Sequence, residues 1–443
     1  TGKHDYTEGF YSLIINGEED RLVLPLDARK WQEKFPLYKA RLVFAPGVGH
    51  DMFISRNSHF VIDVILRAIA DVADNHSEGL PGLEAAEPEV RGFLRASPFS
   101  VKHLAQCPGA RRMTDPNFEP GLYPASEPVF ANIEITTQCN FKCRFCARTR
   151  MGKDALDMDK TVFRRILELL PHAYRVTLVG LGEPLMHPEI CDFIKIASSL
   201  NRRVGLVTNA SVLDSSLSKE LISTGLESIA FSLDSVNQDN AALVRKGTYT
   251  DRVLENIRNF IKIADATRPM AKAVFTALSV ENILYFNDLV NVISTLGVDV
   301  MMLTDLNFQE NVKKTIWKNA DDKIISSIRN TIKQAFSKRL PVLSVHGLEE
   351  FGLRSRYREF LLLPPNQLYH RSEKRKFCLS PWQTAPVDVN GNITVCDCQP
   401  ENVVGNILTE PFNEIWLGKK MTDYRRRMLS DNPPEACRIC PRF

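Results

Sequence analysis

Between residues 131 and 305, short β-branched and apolar runs alternate with longer segments of helical period, and no other feature of the sequence restricts the fold as much. The strand-like runs are "ANIEIT" (131–136), "RVTLVG" (175–180), "RVGLVT" (203–208), "SIAFSL" (228–233), "KAVFTAL" (272–278) and "DVMMLT" (299–304). Between them lie "DKTVFRRILELL", "EICDFIKIASSL", "SLSKELISTG" and "DRVLENIRNFIKIA", where apolar residues return every three or four positions. Six such strand and helix units call for parallel strands joined by crossovers, in a sheet that is open or closes into a barrel. Functional groups in such folds gather at the C-terminal ends of the strands.

The flanks follow other rules. Residues 1–125 predict a separate α+β domain: "YSLIINGEEDRLVLPL" reads as a hairpin turning at Asn16-Gly17 or just after it, followed by a strand "ARLVFAPG" and a helix "HFVIDVILRAIADVADN". The Pro- and Gly-rich "EPGLYPASEP" marks the passage into the core, which is expected over 126–310. Bridging helices and a basic linker are expected over 311–375, and a small terminal domain over 376–443. The basic, aromatic run at 353–377 reads as a solvated linker, and the histidines of "GVGHDMFISRNSH" and "HGLEEFG" as loop residues without ligand spacing.

At 443 residues, with 44% hydrophobic and 25% charged residues, the chain has enough apolar material for a core without disulfide staples. A net charge of +3 gives no global attraction to nucleic acid, and no stretch approaches the roughly 18 unbroken apolar residues of a membrane span. The opening "TGKHDYTEGF" lacks a basic segment followed by an apolar one, so a cytoplasmic protein is expected, with neither membrane nor nucleic-acid partner. In that reducing compartment the clustered members of the ten cysteines are metal ligands or catalytic thiols sooner than disulfides. Cys107 and Cys191 stand alone and read as buried small residues.

Cys139, Cys143 and Cys146 fall together in the loop after the first core strand. Three thiolates there suit three irons of a cubane cluster and leave the fourth iron without a protein ligand. Structural zinc wants four closed ligands, and His172 and His187 lie beyond the next helix and strand. Spacing alone leaves an iron-sulfur site, zinc and accidental packing open.

The CxxxCxxC run with Phe145 before its last cysteine resembles the signature of the radical S-adenosylmethionine (SAM) enzymes. "GLGEP" (180–184) is similar to that family's GGEP motif, with Leu181 in place of a glycine; "TNA" (208–210), "SLDS" (232–235) and "VRKGTYTDRVLENI" follow in the family's order. The resemblance implies a partial (β/α)6 TIM-like barrel in which Cys139, Cys143 and Cys146 hold a 4Fe-4S cluster whose open iron chelates SAM. It also implies that Glu183 accepts from the methionyl ammonium, that Gly180 and Gly182 let the backbone approach the cofactor, and that Phe145, Asn209, Ser232 and Arg245 line it. An external electron donor of flavodoxin or ferredoxin type is implied as a partner. No catalytic acid or base is identified.

Near the C-terminus, Cys378 is followed by Gly391 and Cys396, and "EACRIC" supplies Cys437 and Cys440. The glycine reads as the turn of a hairpin between "APVDV" and "ITVC". This resembles a Twitch or SPASM extension, which implies one auxiliary 4Fe-4S cluster on Cys378, Cys396, Cys437 and Cys440, with Cys398 spare. Five cysteines do not complete the full SPASM pattern, and a four-cysteine zinc site has the same ligand count. The expected activity is hydrogen abstraction followed by oxidation of a ribosomally made peptide, with residues 1–125 as its docking domain or a lid. The alternatives are a small-molecule (aminosugar or cyclitol) dehydrogenase or epimerase, and a non-catalytic iron-sulfur carrier.

Overall fold

The computed structural model describes residues 11–17 and 39–45, 127–306 except 153 and 269, 321–344 except 339 and 341, 369–378 except 373 and 374, and 380–438. Strand β1 (Tyr11–Gly17) pairs in parallel with β2 (Lys39–Ala45), Tyr11 beside Lys39 and Gly17 beside Ala45. The expected hairpin arm "RLVLPL" and the helix of residues 59–75 lie outside the described residues.

The core is built on β3 (Phe130–Ile133), and the chain then forms the two-residue β4 (Lys142–Cys143), which belongs to the loop above it. The remaining core strands are β5 (Arg175–Leu178), β6 (Arg203–Thr208) and β7 (Leu226–Ser232). After the short β8 (Arg245–Lys246) come β9 (Ala271–Leu278), β10 (Val300–Asp305) and β11 (Val342–Ser344). All six expected strands are present, and β11 extends them by pairing in parallel with β10.

On the other side of β3 the sheet continues into the C-terminal region. An antiparallel pair, β12 (Tyr369–Ser372) and β13 (Arg375–Cys378), precedes β14 (Thr384–Val387), β15 (Asn392–Thr394) and β16 (Val403–Asn406). β14 pairs in parallel with β3, Thr384 beside Phe130 and Val387 beside Ile133, and the order is β11-β10-β9-β7-β6-β5-β3-β14-β15-β16. The turn between β14 and β15 uses Gly391 at φ +80°, a conformation that side-chain-bearing residues rarely adopt.

Local chemistry explains the elements. The helix Lys160–Leu169 starts where Asp159 accepts from Thr161 N, and Ser215–Ser223 where Asp214 accepts from Leu217 N at 2.8 Å. In Thr250–Thr267, the residues Val253, Leu254, Ile257, Phe260, Ile261 and Ala264 form one buried face against the sheet. Each large side chain on that face contributes roughly 1.5–3 kcal/mol by leaving water. Among the described residues no helix is long and apolar enough to cross a membrane.

Candidate functional site

The first cysteine loop grows out of β3 and is fastened at several points. Thr136 bridges Asp157, Leu156 N donates to Thr137 Oγ1 at 2.8 Å, and Arg148 Nε donates to the Thr137 carbonyl at 2.6 Å. Cys139 Sγ then accepts from Phe141 N at 3.4 Å. Cys143 lies in β4, opposite Arg245 of β8, and Arg144 N donates to the Val244 carbonyl at 3.0 Å. Cys146 is the N-cap of the helix Ala147–Met151, and Phe145 sits half-buried in the turn before it. All three thiols are half-buried. Burial pushes the Cys139 thiol up and carries Cys143 to about 11, against the pull of the Arg245 guanidinium. Such thiols ionise when a positive partner replaces lost water, as iron does.

Beside this loop, after β5, Glu183 is only 3% exposed and almost fully engaged. Its Oε1 accepts from Thr208 Oγ1 at 2.6 Å and Leu185 N at 3.1 Å, and its Oε2 from Asn209 N at 2.6 Å. Burial raises its pKa, and these three donors work against the rise. The glycines before it face protein at close range. A Cβ on Gly182 would stand 2.7 Å from the Thr136 carbonyl carbon and 2.8 Å from the Gln138 oxygen, with the Thr136 oxygen closer still. A Cβ on Gly180 would meet the Glu134 side chain at 2.5 Å. These two positions are glycine because "GLGEP" packs directly on the lead-in to Cys139, as Glu183 N to Gln138 O at 2.7 Å also records.

Asn209, at the end of β6, ties the same loop from another side. Its Nδ2 donates to Asn140 Oδ1 at 3.1 Å, while its Oδ1 accepts from Ser211 N at 2.9 Å and Ser211 Oγ at 2.6 Å. Asn140 Nδ2 returns to Ser211 Oγ at 2.7 Å. The turn beyond holds Ala210 at φ +59°, with its carbonyl clamped by Asn256 Nδ2 at 2.8 Å. Ser232 is the half-buried last residue of β7. Arg245 Nε donates to Asp234 Oδ2 at 2.6 Å, and Asp234 Oδ1 accepts from Ala277 N at 2.8 Å. Burial alone lowers the Arg245 pKa, yet Asp234 and Cys143 outweigh it and hold the guanidinium charged. From the sequence Asp234 reads as closing a local loop and is left out of the cofactor-binding set, while Asn140, Thr208 and Asn256 carry no expectation. Asp234 and Thr208 stand inside the motifs "SLDS" and "TNA", and Asn140 inside the CxxxCxxC run, which was the available signal.

Of the C-terminal cysteines, Cys378 ends β13 and packs half-buried against the core. Cys396 and Cys437 share one donor: Gln399 Nε2 lies 3.7 Å from Cys396 Sγ and 3.8 Å from Cys437 Sγ. The Cys437 thiol is raised by burial, and Cys398 is near enough to raise it further. Asn132 on β3 donates to Asp397 Oδ2 at 2.8 Å, fastening the Cys396–Cys398 turn to the first core strand. Cys440 lies outside the described residues.

Comparison with known proteins gives these two regions a family. Residues 133–270 match the radical SAM superfamily and residues 378–441 match SPASM, the iron-sulfur cluster-binding domain. Over 179 residues the chain is 26% identical to the tungsten-containing aldehyde ferredoxin oxidoreductase cofactor-modifying protein of Pyrococcus furiosus, covering 39% of this chain and half of that relative's length. Among solved structures, Streptococcus suis SuiB bound to its precursor peptide SuiA superposes with a TM-score of 0.54 at 15% identity, over 72% of this chain and 71% of SuiB. The protein anSMEcpe with bound AdoMet and the Cp18Cys peptide gives 0.51 at 16% identity, over 71% and 86%. The chain thus carries a radical SAM domain on a partial barrel and a C-terminal SPASM domain, and these domains imply 4Fe-4S clusters and SAM as cofactors.

Proposed function

We propose that the chain is a radical SAM oxidoreductase that modifies a peptide. The observation that carries this reading is the arrangement of three half-buried thiols beside a charge-fixed guanidinium, above the C-terminal ends of parallel strands. The donor set fits a cluster with one iron left open: Cys139, Cys143 and Cys146 each offer one sulfur, and Arg245 offsets their negative charge. Bound there, the cluster and SAM supply one-electron cleavage of a C–S bond and a 5′-deoxyadenosyl radical that takes a hydrogen atom from the substrate.

The surrounding residues bind and orient. Arg245, with Nε held by Asp234, has further N–H donors for a methionyl carboxylate. Glu183 keeps one acceptor position at Oε2 for the methionyl ammonium and otherwise locks the ends of β5 and β6 together. Asn209 and Ser232 stand at strand ends where ribose or methionyl contacts are expected, and Phe145, in the turn before Cys146, lines the cofactor with them. Cys378, Cys396, Cys437 and Cys440 would hold a single auxiliary 4Fe-4S cluster, which would supply a one-electron acceptor and so suit a net two-electron oxidation of the substrate. An external one-electron carrier of flavodoxin or ferredoxin type serves as donor.

The peptide substrate is supported by the shared fold with SuiB and anSMEcpe, both solved with peptides. The test is anaerobic reconstitution with iron, sulfide, reductant and SAM, followed by turnover with uniformly deuterated candidate peptides. Deuterium in 5′-deoxyadenosine supports the peptide reading. Label from a deuterated aminosugar, with none from peptides, overturns it and leaves the radical SAM assignment standing.

A further inference from the structure

The sulfur of Cys437 stands at the end of an oriented chain of donors that none of the roles above uses. Tyr424 Oη lies 2.8 Å from Cys437 Sγ, and Gln399 Nε2 donates to Tyr424 Oη at 2.7 Å. The amide orientation follows from Asn402, whose Nδ2 faces Gln399 Oε1 at 3.5 Å and leaves Nε2 toward the two sulfurs. Because the phenol oxygen receives the amide proton, its own O–H points to Cys437, and a thiolate there can only accept. Gln399, Tyr424 and Cys437 are 8%, 7% and 7% exposed, so water does not compete for these bonds.

We propose that Gln399 and Tyr424 are positioning residues that raise the reduction potential of the auxiliary cluster by donating hydrogen bonds to its ligand sulfurs at Cys396 and Cys437. The inference rests on the reading of the second cysteine group as cluster ligands. Reduction adds one electron to a cluster whose charge is spread onto its sulfurs, so a donor on a sulfur favours the reduced form more than the oxidised one. The low polarity of the site strengthens each bond, and the Gln399 to Tyr424 to Cys437 relay polarises its members in one direction.

The test uses the full chain with Cys139, Cys143 and Cys146 all replaced by Ala, so that iron is held by the second group alone, reconstituted anaerobically and titrated under EPR. Tyr424→Phe is expected to keep the iron and sulfide content and to lower the midpoint by about 59 mV, a tenfold change in a one-electron equilibrium. Gln399→Leu is expected to lower it in the same direction. Full iron content with an unmoved midpoint in both variants overturns the inference. If Tyr424→Phe loses its iron, Gln399→Leu decides: a lowered midpoint supports the tuning role, and an unmoved midpoint or lost iron there too overturns it. The reading beneath is checked separately in the same background. If protein with Gln399 and Tyr424 intact binds no iron-sulfur cluster, or binds as much after Cys437→Ala, the assignment of ligands fails, whatever the donors do.

Discussion

Gly182→Ala is the sharpest structural perturbation available at the candidate site. The added methyl would lie 2.7 Å from the Thr136 carbonyl carbon and 2.8 Å from the Gln138 oxygen, both backbone atoms with no rotamer to yield. Van der Waals contact between carbon atoms begins near ~3.5 Å, so the "GLGEP" loop and the lead-in to Cys139 must separate by roughly 1 Å. Overpacking of this kind costs about 1–3 kcal/mol, and losing the Glu183 N to Gln138 O bond, 2.7 Å long, adds about 1 kcal/mol. The sum is about 2–4 kcal/mol, read as a fall in the urea midpoint with unchanged slope. Gly180→Ala is expected to cost a similar amount: its methyl would lie 2.5 Å from Glu134 Cβ, which no rotamer moves, and shifting Glu134 would loosen the 2.6 Å bond from Leu181 N to its carboxylate. A Gly182→Ala midpoint equal to wild type would refute the close packing of the two loops.

Two further outcomes follow from the electrostatics. Asp234→Asn removes the charge facing Arg245 Nε while leaving an oxygen for Ala277 N, so it should cost roughly 2 kcal/mol of stability and weaken SAM binding measured by equilibrium dialysis; unchanged SAM affinity would count against Arg245 as a carboxylate partner. In iron-free protein under reductant, Cys143 alkylation followed by mass spectrometry should rise with pH toward a midpoint of about 11, because burial disfavours the thiolate. Arg245→Met should move that midpoint higher still, since the guanidinium pulls the pKa down; a midpoint that stays or falls contradicts the pairing.

Much of the core was legible because its strands are short, β-branched and separated by strongly amphipathic helices. Each of the six runs from "ANIEIT" to "DVMMLT" became a parallel strand within a few residues of its expected bounds. β11 escaped notice because three residues, Val342–Ser344, carry no period of their own and gain strand character only beside β10. The hairpin around Gly391 was visible from its turn chemistry, but the pairing of β14 with β3 joins residues some 250 positions apart in the chain, and no local pattern encodes it. At the site, residue types that bind metal stand out in a sequence, whereas those that hold the ligand loops are ordinary. Asn140, Asp234, Asn256, Gln399 and Tyr424 acquire their roles largely from partners distant in the sequence, such as Asn140 with Asn209, 69 positions on, and Asp234 with Arg245, 11 positions on.

In the proposed function the two cysteine groups divide labour, the first seating the cluster that cleaves SAM and the second a closed cluster. The direct test is 5′-deoxyadenosine formation together with iron content in reconstituted protein lacking Cys139, Cys143 and Cys146. Retention of about four irons with no 5′-deoxyadenosine is the predicted result. Cleavage of SAM without those three cysteines, or loss of all iron with them, would contradict it.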